Sequence, residues 1–265
     1  MSFMNLFRRR PLIGMVHLLP LPGSPRARDP ETVLRRALAD ARAVAEGGGD
    51  GLLVENYGDL PFVPEEAEPH VPAMMAVIAR ELIRATGLPT GINVLRNDVR
   101  SALAAAAASG AAFVRANIHT GSAWTDQGLI HGRAHETLRY RRALGTRTAV
   151  FADLLVKHAS PVAPTDAAAA AREAAHRGLA DVLLVTGART GEAADAARVR
   201  AVKAAVPGVP VYVASGVTPD NLQEFSEADG FIVGSGLKRG GKTENPVDPR
   251  RVRRLSAVLN KSLKR

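Results

Sequence analysis

The feature that most constrains this chain is a recurring order of segments: a short apolar run, a turn, then a longer stretch rich in Ala, Arg and Leu. The apolar runs fall at residues 11–17, 51–55, 90–95, 112–117, 148–153, 181–186, 210–215 and 230–234. Each is too short for a stable helix and is rich in Val, Ile, Leu or Phe, as a strand buried on both faces should be. The stretches between them carry helix punctuation. Asp29-Pro30-Glu31 opens one that stops at Gly47-Gly48-Gly49, and Thr165-Asp166 opens another that stops at Gly178. Thr218-Pro219-Asp220 and Asp248-Pro249 begin two more. In three of these four, Pro takes the first helical position after the cap, where its missing N–H and fixed φ are favourable.

Alternating β and α elements specify a parallel sheet with right-handed crossovers. Eight units in 265 residues match the length of a closed α/β (β/α)8 TIM barrel, and a doubly wound open sheet is the structural rival. The expected layout is a single-domain barrel over residues 11–255, with a basic N-terminal tail at 1–10 and a basic C-terminal tail at 256–265. One insertion stands out, residues 121–132 between the fourth strand and its helix. It reads as a lid over the barrel mouth or as a long loop.

Composition removes several classes of protein. With no cysteine there is no disulfide scaffold, thiolate metal site or cysteine nucleophile. No apolar run reaches the roughly 20 residues needed to cross a bilayer, and residues 1–10 lack the apolar core of a secretory signal. A cytoplasmic protein is the expectation. The net charge of +9 belongs largely to the ends. Arg8, Arg9 and Arg10 lie at one, and Arg250, Arg251, Arg253, Arg254, Lys261, Lys264 and Arg265 at the other. The remaining body holds 25 basic and 26 acidic residues. Basic ends can touch an anionic membrane surface peripherally, although solvated tails are the plainer reading. Aromatics at 4% give little for base stacking, so no specific nucleic-acid partner is expected. An oligomer is compatible with the sequence.

In such a barrel, ligands bind at the carboxyl ends of the strands. Reading only those ends gives His17, Glu55-Asn56, Asn93 with Arg96-Asn97-Asp98, Asn117 with His119, Asp153 with Lys157-His158, Thr186-Gly187, Ser215-Gly216 and Gly234-Ser235-Gly236. Any one strand-end Asn or Asp can simply cap the next helix; eight polar ends are harder to assign to capping. Ser215-Gly216-Val217-Thr218 and Gly234-Ser235-Gly236-Leu237-Lys238 offer backbone amides in the loops after strands seven and eight, where many such barrels hold a phosphate. Tight turns that need glycine are the alternative. Lys157 is the first of only 6 lysines in a chain with 29 arginines. An ammonium can lose its proton when buried whereas a guanidinium cannot, so Lys157 is a candidate for proton transfer or a Schiff base. His17, Glu55, His119, Asp153 and His158 could surround a divalent metal. No local ligand spacing supports one, so neither metal nor other cofactor is expected.

These ordered motifs resemble the BtpA/SgcQ family over residues 11–255. The resemblance rests on Gly14-Met15-Val16-His17-Leu18, Pro20-Leu21-Pro22-Gly23-Ser24-Pro25, Val54-Glu55-Asn56-Tyr57-Gly58-Asp59, Gly91-Ile92-Asn93-Val94-Leu95-Arg96-Asn97-Asp98 and Asn117-Ile118-His119-Thr120-Gly121. It continues through Thr125-Asp126-Gln127-Gly128, Val156-Lys157-His158-Ala159, Val185-Thr186-Gly187, Ser215-Gly216-Val217-Thr218 and Val233-Gly234-Ser235-Gly236-Leu237-Lys238. The resemblance implies a ribulose-phosphate-type barrel with a phosphorylated small-molecule ligand. The family's first named member is a cyanobacterial factor needed for photosystem I accumulation.

Together these readings lead to an enzyme, of isomerase, lyase or glycosidic-bond-cleaving type, acting on a phosphorylated sugar or nucleoside-like molecule. Glu55, Asp153, Lys157, His158, His17 and His119 are the catalytic candidates. Asn93, Asn117, Asp98, Thr186, Gly187, Ser215, Gly216, Gly234, Ser235 and Gly236 are the substrate-binding candidates. The alternative is a non-catalytic assembly factor for a membrane complex of the photosystem I type.

Overall fold

Eight parallel strands close into a barrel: β1 (Leu12–His17), β2 (Gly51–Glu55), β3 (Thr90–Asn93), β4 (Phe113–Ala116), β5 (Ala149–Leu154), β6 (Val182–Val185), β7 (Val211–Val213) and β8 (Gly230–Val233). Each pairs with the next in sequence, and β8 pairs back with β1. The computed structural model describes residues 6–7, 10–187 and 192–262.

The period-2 alternation of a strand explains what fills the barrel. Ile13, Met15, Leu53, Phe113, Ala149, Phe151, Val182, Leu184, Tyr212, Ala214 and Ile232 form the buried interior cluster. The same inward rows run on to polar residues at the carboxyl end: His17 after Met15, Glu55 after Leu53, Arg115 and Asn117 after Phe113, Asp153 after Phe151, and Thr186 after Leu184. The interior is therefore an apolar floor beneath a polar rim. Gly91 leaves the space that the Phe113 ring occupies, since a Cβ there would lie 2.1 Å from that ring.

The outer layer holds α1 (Pro30–Glu46), α2 (His70–Thr86), α3 (Val99–Ser109), α4 (Ala134–Ala143), α5 (Ala167–Arg172, continued by a π turn over Glu173–Arg177), α6 (Ala196–Ala205) and α7 (Pro249–Ser262). The expected starts hold at α1, where Asp29 accepts from the Thr32 amide, and at α5, where Asp166 accepts from that of Ala169. The helix expected from Thr218-Pro219-Asp220 is only a 3-10 turn, Leu222–Phe225. Leu222 and Phe225 are buried, and a spacing of three puts both on one side of a 3-10 turn, so one turn covers this side of the barrel.

Residues 121–132 form a hairpin, Ser122–Thr125 against Gly128–His131, and Ala159–Pro161 joins it as a third antiparallel strand. Ala123 and Ile130 on the inner face pack against Ile118 and Val156.

The ends differ from the expected tails. Arg10 donates from Nε to the Ala228 carbonyl and from Nη2 to that of Phe225, both at 2.7 Å, and its guanidinium lies over the Phe231 ring. Phe7 packs edge-on against Phe113, beneath the barrel floor. Residues 256–262 are the last turns of α7, with Leu259 buried. Arg8, Arg9, Lys264 and Arg265 lie outside the described residues. Among the described residues no helix is long and apolar enough to cross a membrane.

Candidate active site

At the polar rim, side chains from neighbouring strands meet in one hydrogen-bonded chain. The β-pairing sets His17 beside Glu55 and Glu55 beside Asn93. Asn93 Nδ2 donates to Glu55 Oε2 at 2.7 Å; His17 Nε2 lies 3.7 Å from Glu55 Oε1. Arg115 extends from β4 between the two acids. Its Nε and Nη2 donate to the two oxygens of Asp153, each at 3.0 Å, and its Nη1 stands 3.9 Å from Glu55 Oε2. Asn117 Nδ2 adds a third hydrogen bond to Asp153 at 2.9 Å. A forked guanidinium–carboxylate pair is strong and directional. Burial opposes the Arg115 charge, but Asp153 and Glu55 outweigh it and hold the guanidinium above its ordinary pKa.

Arg115 is a site residue that strand-end reading misses. Alternation over Phe113-x-Arg115-x-Asn117 places it in the inward row, one step below the rim. Its presence changes the reading of Asp153, whose two oxygens are both engaged. Asp153 anchors Arg115, and Glu55 keeps the freer carboxylate.

A cavity of about 490 Å³ opens at this rim. Glu55, Arg96, Arg115, Asn117, Asp126, Lys157 and His158 supply its polar walls, and Tyr57, Leu60, Phe62, Leu95 and Val156 its apolar ones. Asp126 comes from the hairpin turn, so this end of the expected lid reaches the mouth. Lys157 is half-buried and His158 exposed. Burial, then the Arg115 charge, pushes the Lys157 ammonium below its ordinary pKa, against the pull of Glu55 and Asp153. His17 is pushed well below 6.5, first by burial and then by the charges of Lys238, Lys157, Arg115 and Arg36. It is a neutral imidazole, with its ring against Tyr57 at 4.9 Å.

Four buried side-chain atoms on the inward rows have no partner among the described residues: His17 Nδ1, Asn93 Oδ1, Asn117 Oδ1 and Thr186 Oγ1. The main-chain amides of Gly216, Val217, Ser235 and Gly236 likewise donate no hydrogen bond there. These two loops touch: a Cβ on Gly236 would meet the Val217 carbonyl at 2.9 Å. Gly234 leaves room for the His17 ring, which a Cβ would meet at 3.0 Å.

Other expected site residues are occupied with structure. Asp98 caps α3, accepting from the Ser101 amide, and its other oxygen accepts from Ala67 N. His119 donates from Nε2 to the Gly178 carbonyl at 2.8 Å and does not line the mouth cavity. The Ser215 hydroxyl donates to the Glu192 carbonyl and accepts from the Gly187 amide. A Cβ on Gly187 or Gly216 would strike the backbone of Glu192 or Ala193, so both glycines serve close packing of that segment. Lys238 turns away from the mouth and is fully buried against Asp40 of α1 at 2.9 Å. Among the described residues no three His, Asp or Glu side chains gather as a metal-binding group.

Comparison with known proteins places this geometry in a family. Solved structures share the barrel at low identity. Phosphoribosyl anthranilate isomerase from Thermus thermophilus superposes with a TM-score of 0.58 at 17% identity, covering 95% of this chain and 98% of that one. Orotidine 5'-phosphate decarboxylase from Pyrococcus horikoshii gives 0.53 at 15%, covering 94% and 99%. These likenesses show the fold alone. Sequence relatives are much closer. The photosystem I biogenesis protein BtpA of Synechocystis sp. is 43% identical over 98% of this chain and 93% of its own. An uncharacterized protein of Thermococcus kodakarensis is 46% identical over 94% and 95%. The family model that matches residues 8–261 is described as the BtpA family, and with relatives this similar along nearly their whole lengths, the chain belongs to that family.

Proposed function

We propose that the protein is an enzyme acting on a phosphorylated sugar or nucleoside-like small molecule. The observation that carries this reading is the gathering of unpartnered polar groups at one barrel mouth: His17 Nδ1, Asn93 Oδ1, Asn117 Oδ1 and Thr186 Oγ1, with the free amides of Gly216, Val217, Ser235 and Gly236. Folded proteins leave few buried polar atoms unpaired, so a set of them at the carboxyl ends of several strands of one barrel calls for a polar ligand. The carboxamide oxygens of Asn93 and Asn117 accept hydroxyl hydrogens. Clustered backbone amides suit a phosphate. The names of the two structural neighbours denote phosphorylated substrates bound on the same fold, which supports the reading by analogy.

In this reading Glu55 is the general acid/base, oriented by Asn93 and flanked by neutral His17. Arg115, fixed by Asp153, sets the charge around it. Lys157 holds negative charge as it develops on the substrate, and His158 lies on the same wall. Isomerisation, aldol-type cleavage and glycosidic cleavage all fit this set. A membrane-complex assembly role is favoured by the name of the Synechocystis relative and by exposed Arg250, Arg251, Arg253 and Arg254 on α7. It gives the unpartnered groups no task, and so stands second.

The test is turnover of a panel of phosphorylated sugars followed by phosphorus NMR. For any sugar turned over, Glu55→Gln is expected to lower the rate by about 100-fold or more, the usual weight of a general acid/base, with binding retained. A Glu55→Gln protein as fast as wild type would overturn the assignment.

A further inference from the structure

Arg96 is a buried cation with no acid paired to it. It follows β3 at the rim and is 5% exposed. Its Nη2 donates to the Lys157 carbonyl at 3.1 Å, and its Nε is buried without a partner. Among the described residues no carboxylate lies within ion-pair distance of it. Arg115, two carboxylates around it, shows how this barrel pairs a guanidinium when the pairing is internal. The charges of Asp126, Asp153 and Glu55 act on Arg96 from further off, and Asp153 and Glu55 are already engaged by Arg115, Asn117 and Asn93. Lys157 likewise makes no ion pair among the described residues, and both cations line the mouth cavity. A buried charge left unpaired is costly, and a guanidinium fork matches an oxyanion.

Position around the ring adds the second half of the argument. Arg96 follows β3, which in the closed barrel lies across from β7 and β8, the strands followed by the free amides of Gly216, Val217, Ser235 and Gly236; Lys157 follows β5, between the two sides. We infer that Arg96, with Lys157 beside it, holds a second oxyanion. The substrate then carries an acidic group at each end: a phosphate on the β7–β8 loop amides and a carboxylate or second phosphoryl group at Arg96. The inference deepens the phosphosugar reading and rests on it for the first of these anchors.

Inorganic phosphate is the probe, titrated calorimetrically into the full chain and into Arg96→Met, Arg96→Lys and Gly236→Val. Wild type is expected to bind two phosphates. Arg96→Met keeps one, and Arg96→Lys keeps both with one weakened several-fold, because an ammonium lacks the fork. Gly236→Val, whose side chain would press on the Val217 carbonyl, loses the phosphate that Arg96→Met retains. Without phosphate, Arg96→Met is expected to melt no lower than wild type, since it removes an unpaired buried charge. Should Arg96→Met fail to fold, Arg96→Lys carries the test, and unchanged affinity at both sites overturns the inference. Phosphate binding that ignores Arg96 but is lost in Gly236→Val overturns the inference and leaves the phosphosugar reading standing. Binding at Arg96 alone overturns the loop site instead, and no binding overturns both.

Discussion

Buried titratable side chains divide at this mouth according to whether the chain supplies their partners. Arg115 and Asp153 satisfy one another, Glu55, Arg96 and Lys157 face the cavity, and His17, beside Glu55, keeps an unpartnered Nδ1. Most of these were legible from strand ends. Arg115 was not, because it lies one inward step below the rim, and only the alternation from Phe113 exposes it. His119, Asp98 and Lys238 have the residue types of a site but are held by Gly178, α3 and Asp40, partners that spacing along the chain does not reveal. The neutral histidines carry a pH consequence. His17 and His119 are both held below the usual 6.5, burial being the largest cause in each. The unfolded chain takes up protons below about 6.5 that the folded chain refuses. The contribution of these two histidines to stability is therefore complete above that value and is lost as pH drops through it toward the depressed folded values. Urea midpoints measured across this range should fall for wild type and flatten in a His17→Asn, His119→Asn double variant. Parallel curves for the two proteins would show that these histidines are not the cause.

Among the elements, the barrel strands and the starts of α1 and α5 were readable because apolar runs and N-caps are local signals. The third strand of the small sheet, Ala159–Pro161, was not: it is three residues long and exists only because the hairpin offers an edge. The helix expected after β7 is reduced to a turn for a similar reason, since burying Leu222 and Phe225 needs only one turn. Arg10 belongs to the underside of the barrel because carbonyls of Phe225 and Ala228, far away in sequence, receive it. The sharpest packing dependence lies between β3 and β4. A methyl group on Gly91 would need the space of the Phe113 ring, which itself stacks on Phe151 at 4.3 Å. Gly91→Ala is expected to destabilise the fold by about 1–3 kcal/mol, the usual cost of overpacking, read as a lowered urea midpoint at unchanged slope. A midpoint equal to wild type would mean that the barrel floor gives way more easily than its packing implies.

For the molecule as a whole, fold and family were legible because a (β/α)8 barrel writes its period into the sequence and the motifs run the length of the chain. The chemistry was legible only in part, because the fold brings together atoms from strands distant in the chain and then consumes some of them in its own hydrogen bonds, as between Arg115 and Asp153. What it leaves unpaired defines the claim that matters most, that this mouth receives a phosphorylated, hydroxyl-bearing molecule. Melting temperature in the presence of phosphorylated sugars, each matched with its unphosphorylated counterpart, tests that claim most directly, because a ligand that binds only the folded state raises the melting point. At least one phosphorylated sugar should raise it while its counterpart does not. If neither inorganic phosphate nor any phosphorylated sugar stabilises the protein, the claim is contradicted.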